Sequence, residues 1–212
     1  MDTDFIENHN RKSRLMLLPF QKETTAKITE RLEWEHGVYG GYPAVVLASD
    51  VEVKKMLLGN LRETMLLKDM AQTFSIQDTA SLEAFSKYLG HAIGGTLAFE
   101  TIGSELNLSF QTVKKYLDAM EKSYLVARVQ PFFTNKLKEL TKQPKVYFLD
   151  TGLRNSVIND FPTSLETQGK LFENYVFTEL LKAGFQPKYW KSKTGAEVDF
   201  VVEINNEVIP IE

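Results

Sequence analysis

The sequence lacks cysteine and long apolar runs, and each absence excludes a class of protein. With 212 residues and no cysteine, the chain can form no disulfide bond, no thiolate zinc site and no thiol nucleophile. No apolar run approaches the roughly 18 residues of a transmembrane helix, and the N-terminus has no apolar signal core. We therefore expect a chain outside the membrane, with the cytoplasm as its default compartment.

The sequence also lacks an excess of charge of one sign. The chain carries 25 Lys and Arg against 28 Asp and Glu, a net charge of -3. This balance excludes a uniformly basic nucleic-acid coat but permits a local basic surface. Residues 96–147 are locally basic, with 8 Lys or Arg against 5 Asp or Glu.

Complete catalytic motifs are missing as well. No Gly-x-x-x-x-Gly-Lys-Ser/Thr loop is present to hold phosphates, so ATP hydrolysis is not expected of this chain. The histidines, His9, His36 and His91, have no metal-ligand spacing, and no serine lies in a recognisable triad. We expect no bound cofactor and, in the chain as it stands, no enzyme.

The first half of the chain shows helical periodicity. Apolar residues recur at helical spacing in residues 51–73, and a second apolar stripe follows Ser81, which is a candidate N-cap. Further on, the segment Asp150 to Leu153 predicts a turn.

Residues 96–130 have the spacing of a helix-turn-helix. Ile102 and Leu106 mark a short helix, residues 107–109 a tight turn, and Phe110 to Met120 a second helix. Two strand-like runs follow, at residues 124–129 and 145–149, on either side of a basic loop. A helix-turn-helix followed by such a hairpin predicts a winged helix.

The second helix of this module would present polar and basic side chains away from its apolar stripe. Amides and hydroxyls recognise base edges in the major groove, and ammonium groups contact phosphates. The same trihelical pattern also serves for packing or protein docking, so both uses stay open. The predicted DNA-binding residues are Ser109, Gln111, Thr112, Lys114 and Lys115, with Lys136 and Lys138 in the basic loop.

The last third predicts one helix, from Gly169 to about Ala183, and then a three-stranded meander. Strand alternation places Glu197, Asp199 and Val201 on one face of the middle strand. The fold class is therefore α+β, with a helical N-terminal half. We predict three regions: a helical segment 1–79, a winged helix 80–153 and an α/β region 154–212.

Several short motifs, in this order, resemble a known family: the C-terminal region, of unknown function, of predicted prokaryotic AAA+ ATPases. The resemblance covers nearly the whole chain, and the order of the matches makes it specific. Its motifs lie at residues 40–43, 67–69, 102–125, 144–153, 169–174, 189–190 and 195–201.

The resemblance implies a winged helix-turn-helix joined to a truncated fold similar to the PD-(D/E)XK nucleases, downstream of an ATPase module. In such nucleases, acids on a helix and on two strands hold magnesium, and a lysine helps to activate water. The matching acids here are Glu173, Asp199 and Glu212, of which Asp199 and Glu212 would hold the metal. The lysine expected two positions after Glu212 is missing, because the sequence stops there.

These observations leave three hypotheses. The leading one is a non-catalytic part of an ATPase that binds duplex DNA or docks on a partner. The alternative is a metal-dependent endonuclease whose catalytic lysine lies beyond residue 212, in which case magnesium would be its cofactor. The third is a regulatory interaction protein that does not contact nucleic acid. Target, pathway and oligomeric state are not encoded in any motif.

Overall fold

The computed structural model describes residues 31–133, 142–163, 169–192, 194–205 and 207–211. The predicted site residues Lys136, Lys138 and Glu212 lie outside these ranges. The chain divides into two compact units, residues 1–35 and 36–212. In the first unit residues 31–35 are helical, and Nε of Arg31 donates to Oε1 of Glu35 over 3.0 Å. All that follows concerns the second unit.

The helical part of this unit begins with α1 (Pro43–Leu47) and α2 (Val51–Arg62). Helix α2 continues through a π-helical segment, Glu63–Met70, into a short α-turn, Ala71–Thr73. Helix α3 is Thr79–His91. The predicted N-cap at Ser81 is wrong: Asp78 caps α3, and its Oδ1 accepts the backbone N–H of Ser81 over 2.9 Å.

Helices α4 (Phe99–Leu106) and α5 (Phe110–Lys122) are joined by the predicted tight turn. Asn107 adopts the left-handed conformation, with φ of 54°. Ser109 caps α5, since its side chain accepts the N–H of Thr112 over 3.1 Å. The predicted turn and its capping residue are thus confirmed.

Strands β1 (Val126–Val129) and β2 (Lys145–Phe148) form an antiparallel pair in which Val126 faces Phe148. On the other edge of β2, Lys145 forms an antiparallel bridge with Thr96, in the segment between α3 and α4. The backbone order is therefore helix, short extended segment, two helices and a hairpin.

The predicted turn at residues 150–153 is wrong, because a helix, α6 (Thr151–Ile158), begins there. Asp150 caps α6 through Leu153 N–H at 2.7 Å and also accepts Gly41 N–H at 2.8 Å. A Cβ on Gly152 would lie 2.0 Å from the carbonyl oxygen of Tyr39, so only glycine allows this close approach.

The C-terminal part consists of α7 (Gly169–Lys182) and an antiparallel sheet of β3 (Lys188–Lys191), β4 (Glu197–Ile204) and β5 (Glu207–Ile211). The sheet order is β3-β4-β5. Gly184, after α7, has φ of 87°, and Gly195 before β4 has φ of 97°. The predicted α+β class, with one helix and a meander at the end, is confirmed.

Two apolar clusters build the core, and β2 separates them. Val146 and Phe148 belong to the cluster formed by the helices, whereas Tyr147 belongs to a second cluster with Phe177 and Phe200. Successive side chains of a strand point to opposite faces, so β2 is buried on both faces and Lys145 shares the side of Tyr147. Across the described ranges, no helix combines the length and apolar character needed to cross a bilayer.

Candidate functional site

A buried lysine lies among three carboxylates where β2, α7 and β4 meet. Nζ of Lys145 is 3.0 Å from Oε1 of Glu173 and 2.7 Å from Oε1 of Glu197. Asp199 is farther away, with Oδ1 at 3.9 Å. The Lys145 side chain is only 2% exposed. We call these four residues the lysine–carboxylate cluster.

Neighbouring residues fix the cluster from several directions. The hydroxyl of Tyr147 donates a short hydrogen bond to Oε1 of Glu173. Lys191, on β3, reaches Oε2 of Glu197 at 2.7 Å. The backbone of Gly94 passes so close that a Cβ there would lie 2.7 Å from Oε2 of Glu173. Lys145 and Tyr147 therefore hold the carboxylate of Glu173, and Gly94 leaves room for it.

The charges in this cluster are mutually stabilised. Burial lowers the pKa of Lys145, but hydrogen bonds and charge from Glu197 and Glu173 outweigh burial and raise the pKa above its ordinary value. Burial likewise acts to raise the pKa of Glu197, but Lys145 and Lys191 together hold it below its ordinary value. Lys145 is therefore an ammonium and Glu197 a carboxylate at neutral pH.

The described residues do not fit a metal ion in this cluster. The ammonium of Lys145 lies where an ion would have to contact the carboxylates, within 3.0 Å of two of them. Within the described part of the chain, no group of three or more His, Cys, Asp or Glu side chains could hold a metal. Lys145 offsets part of the charge of the three carboxylates, and Lys191 places a second ammonium at Glu197.

Two of the three predicted acids come together in the structure, and two further residues were missed. Glu173 and Asp199 both face Lys145 Nζ, and Glu212 lies outside the described residues. Glu197 could have been found, because alternation puts it on the face of Asp199. Lys145 could not, because β2 is buried along its whole length and gives no alternating pattern.

The second candidate site is the exposed face of α5, formed by Gln111, Lys114, Lys115 and Lys122. These residues line a shallow groove of about 350 Å³ together with Phe74 and Asp118. Lys115 Nζ donates to the carbonyl of Ser75 over 3.2 Å. Ser109 is exposed, whereas Thr112 is half-buried against the Ser109 hydroxyl, 2.9 Å away. The predicted DNA-binding residues that are described thus share one end and one face of α5.

Two acidic side chains of α5 are paired with one arginine. Arg128, on β1, lies 3.1 Å from Oδ1 of Asp118, and its Nε donates to Oε2 of Glu121 over 2.9 Å. The three lysines form no ion pair within the described ranges. The exposed face of α5 consequently keeps an excess of positive charge.

Two families match consecutive parts of the chain. The family described as "Domain of unknown function (DUF8612)" matches residues 30–164. The family described as "Domain of unknown function (DUF4143)" matches residues 168–212. The resemblance to a region of unknown function is therefore confirmed.

Relatives occur in bacteria and in an archaeon. An uncharacterised protein of Haemophilus influenzae is 26% identical over 195 residues, which are 90% of this chain and 48% of that protein. An uncharacterised protein of Mycobacterium tuberculosis is 28% identical over 78% of this chain and 39% of its own length. An uncharacterised protein of Methanocaldococcus jannaschii is 25% identical over 82% of this chain and 40% of its own length. The chain thus spans less than half the length of these relatives. No solved structure matches the chain significantly.

Proposed function

The chain belongs to the family described as Domain of unknown function (DUF8612), and on that premise we propose that it is the non-catalytic, duplex-DNA-binding part of a larger ATPase. In this proposal residues 80–153 act as a winged helix and α5 is the recognition helix. The carboxylate-rich C-terminal part is a scaffold. The protein works in the cytoplasm.

One observation carries the DNA-binding proposal: Arg128 pairs with Asp118 and Glu121, so that the three lysines leave the exposed face of α5 with an excess of positive charge. Gln111 and Thr112 lie in the first turn of α5, which is the part of a recognition helix that reaches base edges. Lys114, Lys115 and Lys122 would contact phosphates. The bridge between Thr96 and Lys145 supports the winged-helix topology.

The length of the relatives supports the proposal that this chain acts as part of a larger protein. The matched region is 48% of the Haemophilus influenzae relative and 40% of the Methanocaldococcus jannaschii relative. More than half of each relative is thus available for another module. The sequence motifs that resemble the C-terminal region of predicted AAA+ ATPases favour a motor as that module.

Salt-dependent binding to duplex DNA tests the proposal. Replacing Lys114 and Lys115 together with alanine should weaken binding and reduce the slope of log K against log salt by about 2 units, because two phosphate contacts are lost. Lys55→Ala with Lys87→Ala is the matched control, since it removes the same charge from α2 and α3. Equal affinity of both double variants, or no binding by the parent at low salt, would assign α5 to packing or protein docking.

A metal-dependent endonuclease is the second candidate, favoured by the convergence of Glu173, Glu197 and Asp199. It requires an ion to bind where Lys145 now compensates the acids. We expect neither DNA cleavage nor stabilisation by magnesium or manganese in thermal unfolding of this chain. Metal-dependent stabilisation and cleavage that are both lost in Asp199→Asn would instead establish the endonuclease.

A further inference from the structure

A cleft beside the helix-turn-helix is distinct from both candidate sites. It has a volume of about 370 Å³ and is lined by residues of α4, of α5 and of the loop end of the β1–β2 hairpin. The helices contribute Phe99 and Phe110, and the hairpin contributes Gln130, Lys142 and Pro144. The cleft therefore combines aromatic, amide and cationic groups within one concave surface.

The aromatic side of the cleft is partly open to solvent. Phe110 is 46% exposed, and its ring centroid lies 5.7 Å from that of Phe99 at an interplanar angle of 51°. An apolar ring exposed to this extent gains free energy when a flat ligand covers it. Since every nucleobase has a π-face, aromatic side chains of this kind stack on unpaired bases.

The hairpin residues of the cleft offer hydrogen-bonding groups. Oε1 of Gln130 is buried and has no hydrogen-bond partner within the described part of the chain. The terminal torsion of a glutamine side chain is soft, so the amide can turn this oxygen toward the cleft. A buried carbonyl without a donor is unfavourable, and an amino group on a ligand would satisfy it.

The C-terminal sheet holds this side of the cleft in place. The N–H of Tyr189, on β3, donates to the carbonyl of Gln130 over 3.2 Å, and its hydroxyl donates to the carbonyl of Gln143 over 2.6 Å. One aromatic residue thus fixes the backbone of both strands at the loop end of the hairpin. A fixed backbone lowers the entropic cost of binding.

The charges allow one end of the cleft to accept phosphate. Lys142 is exposed, and Arg128 also lines the cleft while it is paired with Asp118 and Glu121. Glu100 also lines the cleft, so a phosphate has to lie on the side of Lys142. This arrangement suits a ligand that is flat and apolar at one end and anionic at the other.

We propose that this cleft binds one unpaired nucleobase of single-stranded DNA, with the ring stacked on Phe110, an exocyclic amino group bonded to Gln130, and the adjacent phosphate near Lys142. The inference goes beyond the duplex-DNA-binding function proposed above, because it concerns an unpaired base of single-stranded DNA in a cleft beside α5. It adds a contact that a recognition helix alone does not make.

Binding of two 12-mer oligonucleotides to the full chain tests this inference. Oligodeoxycytidine and an abasic 12-mer carry the same phosphates, so their affinity ratio isolates the contribution of the bases. We expect oligodeoxycytidine to bind about tenfold more tightly at equal salt, in line with one stacked base. Phe110→Leu, which keeps an apolar side chain but loses the ring, should lower that ratio severalfold without weakening binding of the abasic strand.

A second pair of oligonucleotides tests the amide contact. In the parent, oligodeoxycytidine should bind more tightly than oligodeoxythymidine, because thymine has no exocyclic amino group, and Gln130→Leu should remove this preference. The inference is overturned if the abasic strand binds as tightly as oligodeoxycytidine, or if Phe110→Leu and Gln130→Leu both retain the parent ratios.

Unfolding of Phe110→Leu and Gln130→Leu, followed by circular dichroism, should give the midpoint of the parent and so show that both variants are folded.

The same measurements distinguish failure of the duplex proposal from failure of the cleft inference. If only the duplex proposal fails, the Lys114→Ala and Lys115→Ala double variant leaves duplex affinity unchanged while the base-dependent ratio persists. Conversely, duplex binding that depends on these lysines, with equal affinities for the two single strands, contradicts the cleft inference alone.

Discussion

Nζ of Lys145 on β2 lies 2.7 Å from Oε1 of Glu197 on β4, although the two strands belong to different sheets. The pair therefore joins the hairpin that follows the helix-turn-helix to the C-terminal meander. Because Lys145 is 2% exposed, its ammonium depends on carboxylates rather than on water for its solvation.

Lys145→Met tests how strongly this ammonium supports the fold. Methionine fills a similar volume, but it leaves Glu173 and Glu197 without their common cation, so the free energy of unfolding in urea should fall by about 3 kcal/mol. Lys191→Met is the matched control, because Lys191 contacts the same Glu197 at 2.7 Å but is 49% exposed. It should cost less than about 1 kcal/mol. Equal losses in the two variants would contradict this account of burial.

Stability should decrease in acid partly through Glu197. Burial opposes the shift, but Lys145 and Lys191 hold the pKa of Glu197 below its ordinary value in the folded chain. The stabilisation is thus complete above the pKa of the unfolded chain, about 4.3 for glutamate, and is lost as the pH falls from there through the folded pKa. Unfolding free energies measured across this range should fall less steeply in Glu197→Gln. An unchanged slope would assign the acid sensitivity to other carboxylates.

Gly94→Ala should destabilise the chain more than a left-handed backbone alone explains. Gly94 has φ of 71°, and a Cβ there would meet Glu173 Oε2 at 2.7 Å, in a side chain that Lys145 and Tyr147 hold in place. We expect a loss of about 3 kcal/mol, of which the backbone conformation contributes about 1 to 2. Gly184→Ala provides the comparison, since φ is 87° and no atom lies within 4 Å of its Cβ position. Chemical unfolding of both variants gives the difference.

The sequence predicts those parts of the cluster that depend on local periodicity. Alternation along β4 places Glu197 and Asp199 on one face, and the helical pattern with Gly184 fixes the limits of α7, which carries Glu173. The turn before α5 follows from Ser109 and Asn107, because capping and left-handed residues act within a few positions. These features need no knowledge of distant contacts.

Features that depend on distant contacts could not be predicted in this way. Lys145 becomes a site residue only because β2 packs between two clusters, and its main partner Glu197 lies on another sheet. The helix at residues 151–158 begins with a local signal, because Asp150 caps it through Leu153 N–H. Its packing is not local, since Gly152 lies against the carbonyl of Tyr39 and Asp150 also accepts Gly41 N–H. These two packing contacts connect residues more than a hundred positions apart, beyond the range of any local pattern.

Asn174 helps to keep the chain soluble, because its side chain covers one edge of β2. The side chain of this fully buried residue accepts the N–H of Phe148 over 2.9 Å and donates to the carbonyl of the same residue over 2.7 Å. Gly94 N–H bonds to the carbonyl of Val146, and Leu97 N–H to that of Pro144, along the same edge. An amide side chain and a short extended segment thus occupy the hydrogen-bonding groups that an apolar edge strand would otherwise offer to a strand of another molecule. Strand β2, whose four residues are all buried, is thereby kept from templating edge-to-edge aggregation.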